Sequence, residues 1–188
     1  PRPARHPERR MSRALEPSGS TQLSRIDLMP FTGGAAVGGL LLLGLRATFR
    51  RALLAKLRRD VAALAAGDHR PLLRGYADDA VLVFTEGDHR WSGTHRGRDE
   101  IGRFLAGFVE VGLKGSVRDL WLGGWPWAMT ILVAFDAHAD DEQGRRVYEN
   151  RTVLKCRTRW GRIVHQEDFY VDTVRMVAFD RQLASRGL

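Results

Sequence analysis

A chain of 188 residues with 44% hydrophobic residues and one cysteine is long enough for a single buried core and is neither a disulfide scaffold nor a disordered polymer. Its formal charge of +8 suggests a polyanionic partner until it is divided along the chain: residues 1–59 hold 12 Lys and Arg against 3 Asp and Glu, and the remainder holds 18 against 19. The basicity belongs to a leader, whereas a nucleic-acid domain needs a basic stripe on its folded part, so no nucleic-acid partner is expected.

Residues 1–28 are rich in Pro, Arg and Ser and have no sustained period, as in a disordered tail. The apolar run "PFTGGAAVGGLLLLGL" that follows is short for a spanning helix, which needs about 20 residues. It lacks a cleavage-type small-residue motif and passes at once into "RATFRRALLAKLRR". Residues 1–46 are therefore expected to be a disordered or artefactual basic leader, with Met11 and Met29 as alternative starts. No membrane contact by the leader and a cytoplasmic location are expected.

From Thr48 the pattern becomes regular. Phe49, Leu53, Leu57, Val61 and Leu64 recur at helical spacing and Gly67 ends the run. "HRPLLRGYADD" suggests a second short helix, "AVLVFT" a strand, and "GTHRGRDEIGRFLAGFVEVG" a third helix whose buried stripe is Ile101, Phe104, Leu105 and Phe108. Four strands are expected at about 116–122, 126–138, 145–158 and 161–173, separated by "GG", "DDEQG" and "RTRWG" turns. Helices followed by an antiparallel meander describe an α+β domain over 47–176, with 177–188 left as a C-terminal tail. Cys156 falls within a strand and reads as a buried small hydrophobe.

The runs "VAALAAGDHRPLLRGYADDAVLVF", "WSGTHRGRDEIGRFL" and "GRIVHQEDFYVDT" carry a resemblance to the nuclear transport factor 2-like superfamily, and within it to the SnoaL-like and steroid delta-isomerase-like group. The resemblance spans about residues 48–175. It implies a cone, with three N-terminal helices packed on a curved antiparallel sheet around an apolar pocket. It does not imply one activity, because this fold hosts isomerases, cyclases, hydrolases and noncatalytic binders.

In the last strand, alternation puts Val164, Gln166, Asp168 and Tyr170 on one face and Ile163, His165, Glu167, Phe169 and Val171 on the other. The resemblance assigns the first set to the pocket wall. A carboxyl in such a pocket is costly to ionise and suits proton transfer near neutral pH, which makes Asp168 the candidate catalytic group; pairing with an arginine or a backbone donor is the competing structural role. The resemblance also implies departures. Phe84 stands where steroid isomerases carry their general base, and Asp60 where they carry an oxyanion-hole tyrosine, so ordinary steroid isomerisation is not expected. Leu82, Phe84 and Ala134 replace groups of the epoxide-hydrolase-like pattern, although Asp136 and Asp168 keep its two aspartates.

Further candidate substrate-binding residues are Leu82, Phe84, Asn150 and Thr152, with Asp136 and His138 at the polar end of their strand. Asn150 reads equally as a ligand-facing amide and as an amide satisfied by the sheet. His89, Trp91 and His95 lack a third ligand and familiar metal spacing, and no phosphate loop or nucleophile elbow appears; no metal and no cofactor are expected. Trp121, Trp125 and Trp127 read as core or interface. Two functions stand open: a cofactor-independent isomerase, cyclase or hydrolase acting on a polyketide-, terpenoid- or steroid-like molecule through Asp168, and a noncatalytic binding or dimerisation module. Ile131, Val133, Phe135, Ile163, Phe169 and Val171 are read as an outward apolar face, hence a homodimer through the sheet.

Overall fold

The computed structural model describes residues 33–187. Four helices and six strands follow in the order α1 (Gly33–Ala65), α2 (Arg70–Leu73), β1 (Tyr76–Phe84), β2 (Gly93–Arg96), α3 (Gly97–Glu110), β3 (Lys114–Trp125), β4 (Ala128–Asp140), β5 (Arg146–Arg159), β6 (Arg162–Tyr170) and α4 (Thr173–Ser185). Of the expected leader, residues 1–32 lie outside the described residues, and residues 33–46 belong to α1.

α1 stops where the sequence says it must. Gly67 adopts φ +94, a left-handed conformation that glycine takes without a Cβ penalty, and the Asp68 N–H returns to the Ala63 carbonyl at 2.9 Å. α3 opens with Asp99 and Glu100 in its first turn, and the Glu100 carboxylate accepts from the Arg96 backbone N–H at 2.7 Å, satisfying a donor that the helix leaves unpaired. Its buried stripe is the expected Ile101, Phe104, Leu105 and Phe108.

The six strands form one sheet in the order β2-β1-β6-β5-β4-β3. All neighbours are antiparallel except β1 and β6, which run parallel. Register shifts interrupt β3 between Val117 and Asp119 and the β5–β6 pair between Arg157 and Thr158; such bulges bend a strand and increase its twist. The sheet curves around two apolar clusters. One joins α3, α4 and β1 through Phe84, Phe104, Phe108, Trp91 and Phe179. The other joins α1 to β3, β4 and β5 through Val61, Leu120, Ile131, Val133 and Cys156.

Within the expected tail of 177–188, residues up to Ser185 belong to α4. The Asp172 carboxylate caps α4 by accepting from the Arg175 N–H at 3.0 Å, and Met176, Phe179 and Leu183 face the core. The Phe179 ring stacks on Tyr148 at 4.6 Å and on Trp91 at 6.0 Å. This element packs on β5 and completes the aromatic cluster. The short strand β2 was expected as the start of α3; it pairs with β1 from Val81↔Arg96 to Phe84↔Gly93.

Register also corrects the assignment of faces. Ile131, Val133 and Phe135 lie on the same side of β4 as Ala137 and Ala139, opposite Cys156, Leu154 and Thr152 of β5, and all three line the interior. The bulge in β6 turns Ile163 inward as well. Phe169 and Val171 are outward as expected, and Trp121, Leu132 and Val153 are the other exposed apolar residues of that face.

Candidate active site

Between the two clusters lies a cavity of about 790 Å³. Leu53, Leu57, Val61 and Leu64 of α1 form one wall. Phe104, Leu105 and Phe108 of α3 form another, and the inner faces of β4, β5 and β6 form the third. The helical stripe of α1 thus serves mainly to line a space rather than to fill it. Exposed residues Arg59, Arg74, Trp160, Gly161 and Arg162 mark a mouth.

Gln166, Asp168 and Tyr170 all line the cavity; this is the set that the resemblance assigned to the pocket wall. They stand opposite Cys156, Leu154 and Thr152. The Tyr76 hydroxyl donates to Gln166 Oε1 at 2.6 Å, and Gln166 Nε2 donates to Asp168 Oδ1 at 2.8 Å. An ionised Asp168 can only accept, so with the carboxylate form Nε2 faces the carboxylate and Oε1 is left to accept from the hydroxyl. The Cys156 thiol also approaches Gln166 Oε1, at 3.5 Å.

Two opposing effects set the charge of Asp168. Burial among apolar walls raises its pKa from 3.8 to about 7, while the hydrogen bond from Gln166 favours the ionised form and moderates the rise. Near neutral pH both protonation states are therefore populated. Burial also pushes the Tyr76, Tyr170 and Cys156 protons off at higher pH than usual, so all three remain protonated. Cys156 is a neutral thiol and not a nucleophile. Among the described residues, the Asp168 carboxyl takes its one hydrogen bond from Gln166, with no arginine clamp.

The other candidates lie elsewhere. Leu82 and Phe84 are fully buried in the aromatic cluster and do not line the cavity. Asn150 is spent on the chain: Nδ2 donates to the Asp172 carbonyl at 2.6 Å, and Oδ1 accepts from the Arg151 and Asp172 N–H groups. Thr152 donates to the Phe169 carbonyl at 3.0 Å. Both residues point inward as expected, but they tie β5 to β6 and to the start of α4. Asp136 and His138 occupy the outer face of β4, because their parity is opposite to that of Ala137 and Ala139; Asp136 lies 3.5 Å from Arg118. The two aspartates of the epoxide-hydrolase-like pattern are thus on opposite sides of the sheet. His89 and Trp91 are buried beside Phe84, outside the main cavity.

Sequence reading missed Tyr76 and gave no role to Asp60, which the resemblance had set at the oxyanion-hole position. Tyr76 sits at the first residue of β1, across an irregularity that breaks strict alternation with Val81; its chemistry is visible only once Gln166 is beside it. Asp60 is buried on α1, lines the cavity and pairs with Lys56 one turn earlier. The i, i+4 spacing of Lys56 and Asp60 was the available signal.

No protein-family model matches this chain, and no curated protein matches it. Solved structures do. Bal32a from a soil-derived mobile gene cassette superposes with a TM-score of 0.56 at 20% identity, covering 67% of this chain and 94% of that one. An NTF2-like protein of unknown function from Burkholderia pseudomallei K96243 gives 0.53 at 21%, covering 67% and 95%. A protein of unknown function with a cystatin-like fold from Methylobium petroleophilum PM1 gives 0.51 at 17%, covering 65% and 78%. Likeness at these identities concerns the fold.

Proposed function

We propose that this chain, whose fold is that of the nuclear transport factor 2-like superfamily, is a SnoaL-like enzyme that binds a small hydrophobic molecule and moves a proton on it through Asp168. The observation that carries this reading is the Asp168 carboxyl, held by the Tyr76–Gln166 relay, at the wall of a largely apolar cavity of about 790 Å³. That volume suits a polyketide-, terpenoid- or steroid-sized ligand. The proton is exchanged between the ligand and Asp168 with no covalent intermediate on the chain. Gln166 orients the carboxyl, Tyr76 orients Gln166, and Tyr170 offers a phenol to the ligand. Isomerisation, cyclisation and hydrolysis each use such an acid/base group. Ordinary steroid delta-isomerisation is not proposed, because Phe84 supplies no base.

A second reading, noncatalytic binding, is favoured by one observation: Asn150 and Thr152, which would have oriented a substrate, are occupied by backbone groups. Incubating the full chain with steroids, polyketide intermediates, terpene epoxides and fatty acids separates the two. Wild type is expected to bind and convert one class, and Asp168→Asn to bind it while conversion falls by about a hundredfold or more. Binding without conversion by wild type would leave the noncatalytic reading.

The outer sheet face carries the homodimer proposal. Trp121, Leu132, Val153, Phe169 and Val171 are exposed across β3 to the end of β6, with Trp121↔Leu132 and Val153↔Phe169 as direct neighbours, and a patch of this kind favours association. Sedimentation of the full chain should give a dimer that Val153→Glu with Phe169→Glu converts to monomer; a wild-type monomer at all concentrations counts against it.

A further inference from the structure

The end of the sheet beside the cavity mouth displays tryptophan in an unusual way. Trp125 and Trp127, at the β3–β4 turn, stack at 5.4 Å with only 10° between their planes, yet they are 68% and 49% exposed. Trp160, on the adjacent β5–β6 turn, is 79% exposed, and its N–H donates to the Trp127 carbonyl at 3.0 Å. Trp160 and Gly161 both have positive φ, 51 and 78. Tight hairpins place Asn, Asp or Gly at such positions, so a large aromatic held there is displayed at some conformational cost.

α1 reaches the same end. Arg58 donates to the Val117 carbonyl, Arg50 to Leu120 and Arg46 to Leu122, so the helix climbs β3 toward the turn as its numbering falls. From Leu122 the strand runs about 10 Å further to Trp125, whereas helical residues 33–45 extend about 20 Å beyond Arg46. Their sequence, "GGAAVGGLLLLGL", has no charge, and Leu45 is exposed. Arg46, Arg74, Arg159 and Arg162 gather at this end; Arg159 meets Asp79 at 3.5 Å, and no acidic partner is found for Arg46, Arg74 or Arg162 in salt-bridge contact among the described residues. The part of the sequence before Arg46 adds six arginines against three acidic residues.

We propose that this end of the molecule, contrary to the expectation of no membrane contact by the leader, docks on the surface of an anionic phospholipid bilayer. Tryptophans belong at the level of the headgroups, arginines pair with lipid phosphates, and an uncharged helical segment lies along the boundary between them. A segment of about 20 Å is shorter than the roughly 30 Å hydrocarbon core, and no helix among the described residues is long and apolar enough to cross a membrane. The contact is therefore superficial. Since Trp160, Gly161 and Arg162 belong both to this surface and to the cavity mouth, docking would turn the mouth toward lipid, from which a hydrophobic ligand enters without passing through water.

The test is co-sedimentation of the full chain with vesicles of equal parts phosphatidylcholine and phosphatidylglycerol, and with vesicles of phosphatidylcholine alone. Wild type should partition onto the mixed vesicles, with tryptophan emission quenched by brominated acyl chains. Trp125→Ser with Trp127→Ser, exposed positions whose fold is checked by circular dichroism and melting, should lower that partition by about tenfold or more. Failure of the folded wild type to partition overturns the proposal. An unchanged double variant does so too, since the basic leader alone would then explain binding, as does a double variant that turns a dimer into a monomer, which would make this surface a contact between copies. The solution assay of Asp168 is independent of every one of these outcomes.

Discussion

Asp168→Asn is expected to be more stable than wild type at pH 8 and to lose that advantage on acidification. In the folded protein burial raises the Asp168 pKa to about 7, whereas an unfolded aspartate titrates near 3.9. Between those values the folded state keeps a proton that the unfolded state gives up. The stability contributed by a protonated Asp168 is therefore fully present below about pH 4 and declines as pH rises through the folded pKa. The whole swing is about 4 kcal/mol. Asparagine keeps the polar shape, cannot ionise and removes the swing. Carboxylates whose pKa is lowered, such as Asp140 through its hydrogen bond with Arg146 and Asp141 through the Arg145 backbone N–H, act in the opposite direction, losing stability in acid. They are common to both proteins and cancel in the difference. Urea unfolding of the pair from pH 4 to pH 9 reads it directly. Parallel curves would mean that Asp168 titrates normally, and the proton-transfer reading would lose its physical basis. The same variant should retain ligand binding while conversion is lost, so one substitution separates the cost of a buried charge from its use.

How far the sequence reaches can be argued from single strands. β6 is legible because Gln166, Asp168 and Tyr170 alternate with His165, Glu167 and Phe169, and the resemblance says which set faces the pocket. β4 is not legible, because Ile131, Leu132 and Val133 are consecutive and apolarity marks no face. Only pairing with β5 orients it, and that pairing takes Asp136 and His138 away from the pocket. The bulge near Val164 has no sequence mark of its own, yet it reverses Ile163. α4 is hidden for a different reason: Met176, Phe179 and Leu183 have helical spacing, but the expected domain ends at residue 176 and leaves Phe179 and Leu183 in the expected tail. Asn150 shows the limit for polar side chains. Its inward direction was readable, but whether it serves a ligand or the backbone depended on where Asp172 would lie, and a contact between positions 150 and 172 is a property of the fold alone.

Phe84→Ala should cost about 3–5 kcal/mol of stability, the range for truncating a fully buried aromatic. Phe84 has no exposed surface, and its ring meets Phe104 at 5.2 Å, Phe108 at 5.8 Å, Tyr170 at 5.0 Å and His89 at 5.8 Å. Edge-on and tilted pairs of this kind add to simple burial, and removing their hub leaves a void that four rings cannot all close upon. Native stability is only about 5–15 kcal/mol, so the loss is a large share of the total, and Phe84→Leu, which keeps more of the volume, should recover much of it. If Phe84 were instead a ligand-facing residue, as its place in the steroid-isomerase pattern suggested, alanine would cost little stability and act mainly on affinity. Denaturant midpoints with and without ligand distinguish the two. The expected pattern is a large fall in midpoint first, with affinity reduced only as far as Tyr170, which rests on Phe84 from the cavity side, loses its support. The position that carries a base in one branch of the fold would then serve here as the packing centre that holds the wall beside Asp168 rigid.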